Sequence, residues 1–256
     1  METAVRLRAL STGSMTSPRG GFLEGEEGEI TYPIPVFVIE HPAGLVVVDA
    51  GLHPELATTT ERLRKLARTF QVHLAEDGSD SIGPLLRAAG CDPDRVAHVV
   101  LTHLHFDHTG GLLEVPNARV VVQAREWAAL NDERMLDLGA YNRDDVDLGH
   151  ERLELDGDHD LFGDGTVTCL LTDGHTAGHQ SVRVRTEAGT YVICGDCCYL
   201  RQTLTDEHLP PVSHDRDRHL QSIRRLAAEQ AQGATLLFGH DPRQWADISR
   251  DDRLRG

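Results

Sequence analysis

The chain repeats one arrangement of strands, and this repeat constrains its fold more than any other feature. In the first half, an apolar run that follows a glycine ends in Asp49, and a later apolar run ends just before His103. In the second half, a similar run ends near Asp196, and another leads to His240. Short apolar runs between turn residues are typical of buried strands. This weak internal duplication predicts two β-rich halves that pack together and collect polar side chains along one edge of the joined sheets.

Helices are predicted between these strands. Ser81–Ala89 reads as a short helix ended by Gly90, and Ala124–Asn131 as a helix directly after a strand. Arg218–Gln230 carries apolar side chains at helical spacing. The predicted strands are Val36–Glu40, Leu45–Val48, Val96–Leu101, Arg119–Gln123, Val167–Leu171, Thr190–Cys194 and Ala234–Phe238.

Residues 103–108 read His-Leu-His-Phe-Asp-His, and they hold a dense group of metal-binding side chains. Imidazole and carboxylate are ligands that zinc, iron, manganese and cobalt accept. A polar loop that contains histidine by chance is the alternative interpretation. We favour a metal site, because a packed core has no use for four adjacent groups of this kind. The position also fits, since open α/β folds bind their ligands at the carboxyl ends of strands.

The polar residues at the strand exits are more numerous than the ligands of one tetrahedral ion. We therefore expect two divalent ions that share one carboxylate, with zinc favoured and iron, manganese or cobalt accepting the same donors. Spacing does not decide between His175 and His179 in their loop. Asp49 is either a turn residue or a group that orients a ligand. The candidate ligands are His103, His105, Asp107, His108, His175, Asp196 and His240.

Charge and composition argue against several classes of function. The 256 residues carry a formal net charge of −16 and dispersed arginines, so we expect no nucleic-acid partner. Lys65 is the only lysine, and no glycine-rich loop ends in Lys-Ser or Lys-Thr, which excludes P-loop nucleotide hydrolysis. No apolar run is long enough for a membrane span. Five cysteines without a visible secretory signal lead us to expect reduced thiols and a cytoplasmic protein.

The motifs resemble those of the metallo-β-lactamase superfamily. The matching stretches are the hexapeptide at 103–108, Asp-Gly-His-Thr-Ala-Gly-His at 173–179, Gly-Asp at 195–196, Phe-Gly-His-Asp at 238–241 and Asp-Ala-Gly at 49–51. The resemblance runs from about residue 35 to residue 241. It implies an α/β fold, a four-layer αββα sandwich of two mixed β-sheets flanked by helices. It also implies one domain over 1–256, with pseudo-symmetric halves at roughly 1–150 and 151–256.

Within that superfamily the chain is most similar to the N-acyl-homoserine lactonases, by Gly-His-Gln-Ser at 178–181, by Tyr199 three residues after Asp196, and by the Phe-Gly-His-Asp ending. The resemblance implies a small lactone as substrate, opened by a metal-bound hydroxide. Tyr199 would donate to the oxyanion, and Asp107 would carry a proton to the leaving alkoxide. The implied ligand sets are His103, His105 and His175 for one ion, and Asp107, His108 and His240 for the other, with Asp196 bridging.

Several alternatives stay open. Another ester or thioester hydrolase of the glyoxalase II or aryl ester kind is the main competing function, and a non-catalytic metal or redox protein is a third. Tyr199 has a core tyrosine as its alternative interpretation. The sequence leaves both a monomer and a homodimer open. Phe106, Phe22 and Phe70 are candidates for a substrate pocket or lid, with ordinary loop packing as the alternative for each.

The cysteines near Asp196 depart from the lactonase pattern. Cys197 and Cys198 stand between Asp196 and Tyr199, where small residues are expected. Cys194 and Cys197 also form a C-x-x-C pair. We interpret this pair as coincidence, because no second cysteine pair exists to complete a zinc site.

Overall fold

Two β-sheets dominate the computed structural model, which describes residues 5–58, 70–132, 141–251 and 254. Sheet I contains β1 (Arg6–Pro18), β2 (Glu29–His41), β3 (Gly44–Val48), β4 (Gln71–His73), β5 (Val96–Val100), β6 (Arg119–Gln123) and β7 (Arg152–Leu155), in the order β4-β1-β2-β3-β5-β6-β7. Sheet II contains β8 (His159–Asp160), β9 (Val167–Leu171), β10 (Gln180–Thr186), β11 (Gly189–Ile193) and β12 (Thr235–Leu237), in the order β12-β11-β10-β9-β8. Both sheets mix parallel and antiparallel pairs.

Helices connect the strands and cover the outer faces of the sheets. The α-helices in the described residues are α1 (Ile82–Ala88), α2 (Phe106–Thr109), α3 (Ala124–Ala129), α4 (Arg143–Val146), α5 (Arg201–Thr205), α6 (Arg216–Ala231) and α7 (Pro242–Ile248). Short 3-10 turns lie at Arg19–Gly21, Pro54–Ala57, Pro93–Arg95, Leu112–Glu114 and Gly195–Cys198. In the described part of the chain, no helix combines the length and the apolar character that a membrane crossing requires.

Alternating side chains on the strands build the layers, because successive strand residues face opposite sides of a sheet. In β3, Val46 and Val48 pack in the cluster between the two sheets, whereas Val47 packs with α1 on the outer face of sheet I. In β11, Tyr191 faces the cluster between the sheets and Val192 packs with α6. The result is the predicted αββα sandwich of two mixed sheets flanked by helices.

The repeated sequence pattern corresponds to a repeated structural unit. Strands β3 and β5 are parallel neighbours on either side of α1 in the chain, and β11 and β12 are parallel neighbours on either side of α6. Each unit therefore presents the carboxyl ends of two adjacent strands at one edge of its sheet. This edge is where Asp49, His103, Asp196 and His240 emerge.

The predicted elements match the structure to within two residues at their ends, with one exception. Strand β2 begins at Glu29, seven residues before the prediction, and includes Pro33 and Pro35. Proline is normally confined to edge strands or bulges, so a segment with two prolines carries only a weak strand signal. The proline-containing part of β2 pairs with β1 near a register shift, while pairing with β3 begins only at Phe37.

The sequence also left several strands unpredicted. Strand β1 is rich in serine and threonine, and β4, β7 and β8 are only two to four residues long. Strand β10 alternates arginine with valine in its central part. None of these segments has the continuous apolar run by which the other strands were recognised.

Gly51 lies where the loop after β3 closely approaches Thr12 of β1. Its φ is +71°, and an added Cβ would lie 2.0 Å from Thr12 Oγ1. Gly25 has a φ of +83° with no atom within 4 Å of an added Cβ.

We expect Gly25→Ala to lower the free energy of unfolding by about 1–2 kcal/mol through backbone strain alone. Gly51→Ala should lower it by about 1–3 kcal/mol more through overpacking. Urea unfolding of both variants measures the difference, and equal losses of stability would contradict the role of this contact.

Candidate metal centre

The predicted ligands come from loops that follow the carboxyl ends of strands in both sheets. Residues 103–105 follow β5, and α2 continues the same segment as one short turn. The loop between β9 and β10 supplies one histidine, and the 3-10 turn after β11 supplies a carboxylate. The turn between β12 and α7 supplies His240. All but one of the ligand residues are buried, and the remaining one, His105, is half-buried. The side chains brought together are His103, His105, Asp107, His108, His175, Asp196 and His240.

These side chains form two groups with Asp196 between them. His103, His105, His175 and Asp196 make the first group, here called the three-histidine group, whose ligand atoms lie within 4.8 Å of one another. Asp196 Oδ2 lies 3.5 Å from His103 Nε2 and 3.4 Å from His175 Nε2.

The second group consists of Asp107, His108 and His240. The other oxygen of Asp196, Oδ1, lies 3.3 Å from His108 Nε2 and 3.1 Å from His240 Nε2. Asp107 Oδ2 is 3.7 Å from each of the same two nitrogens. Asp196 thus presents one oxygen to each group, which is the arrangement that a bridging carboxylate requires.

The polar atoms at the centre fit divalent metal ions. His103 Nε2, His108 Nε2 and Asp196 Oδ1 are buried without a hydrogen-bond partner. A buried polar atom without a partner is costly, and such atoms are rare unless water or an ion satisfies them. The donors are imidazole nitrogens and carboxylate oxygens, the types that zinc and similar divalent ions bind. The residues therefore fit two metal ions, one in each group.

The pKa values of the two carboxylates of the centre are shifted in opposite directions. Burial raises the pKa of Asp107 above its usual range. Burial alone would also raise the pKa of Asp196, but the charges of His108 and His240 hold it well below its usual range. Burial lowers the pKa of His103 well below that of free imidazole. A neutral imidazole beside an ionised carboxylate is the state in which both bind metal.

Two contacts from outside fix the rings of the second group. His108 Nδ1 donates to Asp49 Oδ2 at 2.8 Å, and His240 Nδ1 donates to the carbonyl of Pro33 at 2.9 Å. Asp49 also accepts hydrogen bonds from the backbone and hydroxyl of Thr102, and its φ of +61° is unusual for a residue other than glycine. Contacts of this kind set the tautomer and orientation of a metal-binding histidine. Asp49 is therefore an orienting group and more than a turn residue.

Comparisons with known proteins agree with this geometry. Residues 31–240 match the sequence model of the metallo-beta-lactamase superfamily. The chain belongs to this superfamily. A curated relative, the N-acyl homoserine lactonase AttM of Azorhizobium caulinodans, is 32% identical over 260 residues, which cover 97% of each chain. The N-acyl homoserine lactonase AiiA of Bacillus thuringiensis subsp. kurstaki is 31% identical over 222 residues, which cover 84% of each chain.

A solved structure has the same fold as this superfamily member. It shows an N-acyl homoserine lactone hydrolase with the product N-hexanoyl-L-homoserine bound at its catalytic metal center. The two chains superpose with a TM-score of 0.83 at 26% identity, over 96% of this chain and 97% of the other. The expected family and fold class are both confirmed.

The structure separates the two histidines that spacing left undecided. His175 joins the three-histidine group, whereas His179 lies beneath it and is fully buried. His179 Nδ1 donates to the carbonyl of Thr172 at 3.1 Å, and its Nε2 accepts from the backbone of Cys197 at 3.3 Å. Both ring nitrogens of His179 are thus used by the protein, which leaves neither for a metal.

The predicted aromatic residues belong to one apolar cluster, in which Phe22 and Tyr199 meet the ring of His240. The hydroxyl of Tyr199 lies 3.4 Å from His175 Nδ1, and its ring stacks on His240 with centroids 5.8 Å apart. Phe22 meets the ring of Tyr199 edge-on at 4.7 Å. The rings of Phe70 and Phe106 are 5.7 Å apart in the same apolar cluster.

Among the aromatic residues of this apolar cluster, Tyr32 was not predicted from the sequence. Tyr32 is buried and meets the rings of His240 and Phe22 edge-on at 5.1 Å and 4.6 Å. It lies directly before Pro33 in the part of β2 that the sequence did not predict as a strand. Tyr32 belongs to none of the sequence motifs. Only the alternation of buried and exposed side chains at the start of β2 could have indicated it.

The cysteines near Asp196 belong to the core of sheet II. Cys194, Cys197 and Cys198 are fully buried among the side chains that pack beneath α6. Burial raises the pKa of Cys197 well above its usual range, so its thiol stays protonated. This agrees with the interpretation of the C-x-x-C spacing as coincidence.

Binding of metal ions should stabilise this fold by an amount that grows with the logarithm of the ratio of free metal to its dissociation constant. At a free zinc concentration 100 times the dissociation constant, one site adds about 2.7 kcal/mol, which raises the melting temperature of a chain of this size by about 5–10 °C. We expect chelation to remove this gain. His103→Ala should remove the part that comes from the three-histidine group, and Asp196→Ala, which removes the ligand between both groups, should abolish it. The measurement is calorimetry together with metal content per chain.

His98→Ala is the matched control for this prediction. His98 lies on β5 but packs against Phe162, away from both ligand groups, with ring centroids 5.8 Å apart. This variant should keep the full metal-dependent gain. A gain that persists in Asp196→Ala, or disappears in His98→Ala, would contradict the assignment of the ligands.

Proposed function

We propose that this chain is a metal-dependent hydrolase that opens the ring of N-acyl homoserine lactones. The observation that carries the proposal is the pair of ligand groups on Asp196, with the hydroxyl of Tyr199 and an apolar cluster beside them. The curated relatives of the same length are N-acyl homoserine lactonases. These relatives favour lactone ring opening over the alternative, hydrolysis of thioesters or aryl esters.

The ligand groups would hold one divalent ion each. His103, His105 and His175 would bind the first and Asp107, His108 and His240 the second, with Asp196 shared, and zinc is the ion we favour. Two such ions supply an activated water molecule at neutral pH and polarise the ester carbonyl. The residues around them must then place the lactone, stabilise the charge that develops on its oxygen, and move one proton.

Tyr199 would donate a hydrogen bond to the oxygen that gains charge. Burial, followed by the charges of Asp196 and Asp107, holds the pKa of Tyr199 well above its ordinary value. The hydroxyl therefore keeps its proton throughout the neutral range. A donor that is fixed before the reaction stabilises the transition state without reorganisation.

Asp107 would move the proton. Its carboxylate lies next to His108 and His240, and burial raises its pKa. A carboxylate in this position would take up the proton that the attacking water releases and pass it to the leaving alkoxide. Asp196, whose pKa is held low, is suited to remain a ligand.

The acyl chain of the substrate would lie against the aromatic side chains. Phe22, Phe70 and Phe106 belong to one apolar cluster that also contains Tyr32 and Tyr199. Each buried methylene of an acyl chain contributes about 0.8 kcal/mol. This cluster therefore favours lactones that carry an aliphatic acyl group over the unsubstituted ring.

The thiols support a proposal about the cellular setting. All five cysteines are unpaired in the structure, and unpaired thiols are typical of reducing compartments. We therefore propose a cytoplasmic enzyme, built as one domain over 1–256. A homodimer is compatible with this proposal and is tested by the molecular mass in solution.

A substrate panel tests the proposed function. The zinc-loaded protein should release acid from N-acyl homoserine lactones of several chain lengths, and much more slowly from thioesters and aryl esters of matched acyl groups. The measurement is proton release at constant pH, with metal content determined on the same preparation. Turnover of thioesters without turnover of any lactone would overturn the proposal.

Removal of the Tyr199 hydroxyl should slow the chemical step. We expect Tyr199→Phe to lower kcat by about 10–100-fold, the factor that corresponds to the 1.5–3 kcal/mol of a hydrogen bond to a charged group. Metal content and melting temperature should stay unchanged, because the ring remains to stack on His240. Tyr191→Phe is the matched control, since Tyr191 lies in the core between the sheets. A kcat that is unchanged in Tyr199→Phe would remove this residue from the mechanism.

A further inference from the structure

Glu126 is a fully buried carboxylate that belongs to neither ligand group. It lies on α3, the short helix that follows β6, and none of its side chain is exposed. Burying a carboxylate is costly unless hydrogen bonds satisfy its oxygens. The position of Glu126 therefore depends on the donors that surround it.

Three donors from three segments converge on this carboxylate. Oε1 accepts from the backbone N–H of Leu104 at 3.1 Å and from the hydroxyl of Tyr141 at 2.9 Å. Oε2 accepts from the backbone N–H of Gly178 at 2.7 Å. Both oxygens act as acceptors, so the surroundings are specific for a carboxylate.

Each donor is adjacent to a member of the three-histidine group. Leu104 is the residue between His103 and His105. The ring of Tyr141 meets that of His105 at 5.1 Å, and the backbones of the two residues form an isolated β-bridge. Gly178 is in the loop of His175, three residues further on. One carboxylate thus connects the segments that carry all three histidines.

Close packing leaves little freedom at this junction. A Cβ on Gly178 would lie 2.5 Å from the backbone nitrogen of Glu126 and 2.7 Å from its Cβ. The loop from sheet II is therefore seated directly on the first turn of α3. Glu126 therefore joins the loop that carries His175 to the segment that carries the two histidines after β5.

The second ligand group has its own support. His108 is held by Asp49 and His240 by the carbonyl of Pro33, and neither contact involves Glu126. We propose that Glu126 is a positioning residue for the three-histidine group, and that its loss weakens metal binding there while the second group keeps its affinity. This inference rests on the proposed two-metal centre.

Metal titration of Glu126→Gln tests the inference. A glutamine replaces one acceptor oxygen by an N–H₂ donor, which then faces a donor from Leu104, Tyr141 or Gly178. Metal-free protein is titrated with zinc against a chromophoric chelator, and His105→Ala and His108→Ala assign the two binding steps to their groups. We expect the step lost in His105→Ala to weaken by about 10–100-fold in Glu126→Gln, with the other step changed less than threefold.

Two further variants keep the test independent of folding. Tyr141→Phe retains the carboxylate and removes one donor, and it should weaken the same step by a smaller factor. Glu114→Gln is the matched control: Glu114 accepts from Ser81 Oγ at 3.1 Å and from the backbone of Gly83 at 3.0 Å, outside the ligand loops. It should leave both steps unchanged. Thermal unfolding of the metal-free proteins separates lost stability from lost affinity.

The outcomes distinguish this inference from the proposed function. Two steps in the wild type with the assigned step weakened in Glu126→Gln and Tyr141→Phe support it. If the wild type binds metal in two steps, and both variants leave these steps unchanged or weaken them equally, the inference is overturned. The two-metal centre then remains intact. A wild-type protein that binds no metal overturns both.

Discussion

The contacts of Asp196 with four histidines are the constraint on which the rest of the structure depends. Its two oxygens lie 3.1–3.5 Å from Nε2 atoms of His103, His108, His175 and His240. Two of these histidines follow strand β5 of sheet I, and the others follow strands β9 and β12 of sheet II. The ligand geometry therefore requires the sheets to meet in one relative position, which the valine-rich cluster between them fixes.

Strand exits were predictable because they combine two strong signals. An apolar run of five residues can be recognised without a partner strand, and a polar residue at its end marks the edge of the sheet. His103 and His240 have both signals, and so their place at one edge followed from the sequence. The first part of β2 has neither, because Pro33 and Pro35 interrupt it and its pairing with β1 depends on a distant segment.

Side chains that act through long-range contacts could not be predicted in this way. Glu126 lies on a short helix with an ordinary amphipathic sequence, and its role depends on Gly178, 52 residues away. His175 and His179 share one loop, and the choice between them depends on the path of that loop. At Gly174 the φ is +123°, and an added Cβ would lie 2.1 Å from the backbone nitrogen of His219, so helix α6 fixes the turn that directs His175 to the centre.

The ligands of the metal centre and most of the aromatic residues proposed to contact the substrate lie on different segments. The ligand residues lie on the short helix α2 and in the loops and the 3-10 turn that follow β5, β9, β11 and β12. Phe22, Tyr32 and Phe70 lie instead on β2 or on the segments that precede β2 and β4. Among the aromatic residues of this cluster, Phe106 and Tyr199 belong to ligand-bearing segments. Substitutions of Phe22, Tyr32 or Phe70 can change the shape of the apolar cluster while the hydrogen bonds that hold the ligands remain. The proposed substrate preference can therefore vary more freely than the metal centre.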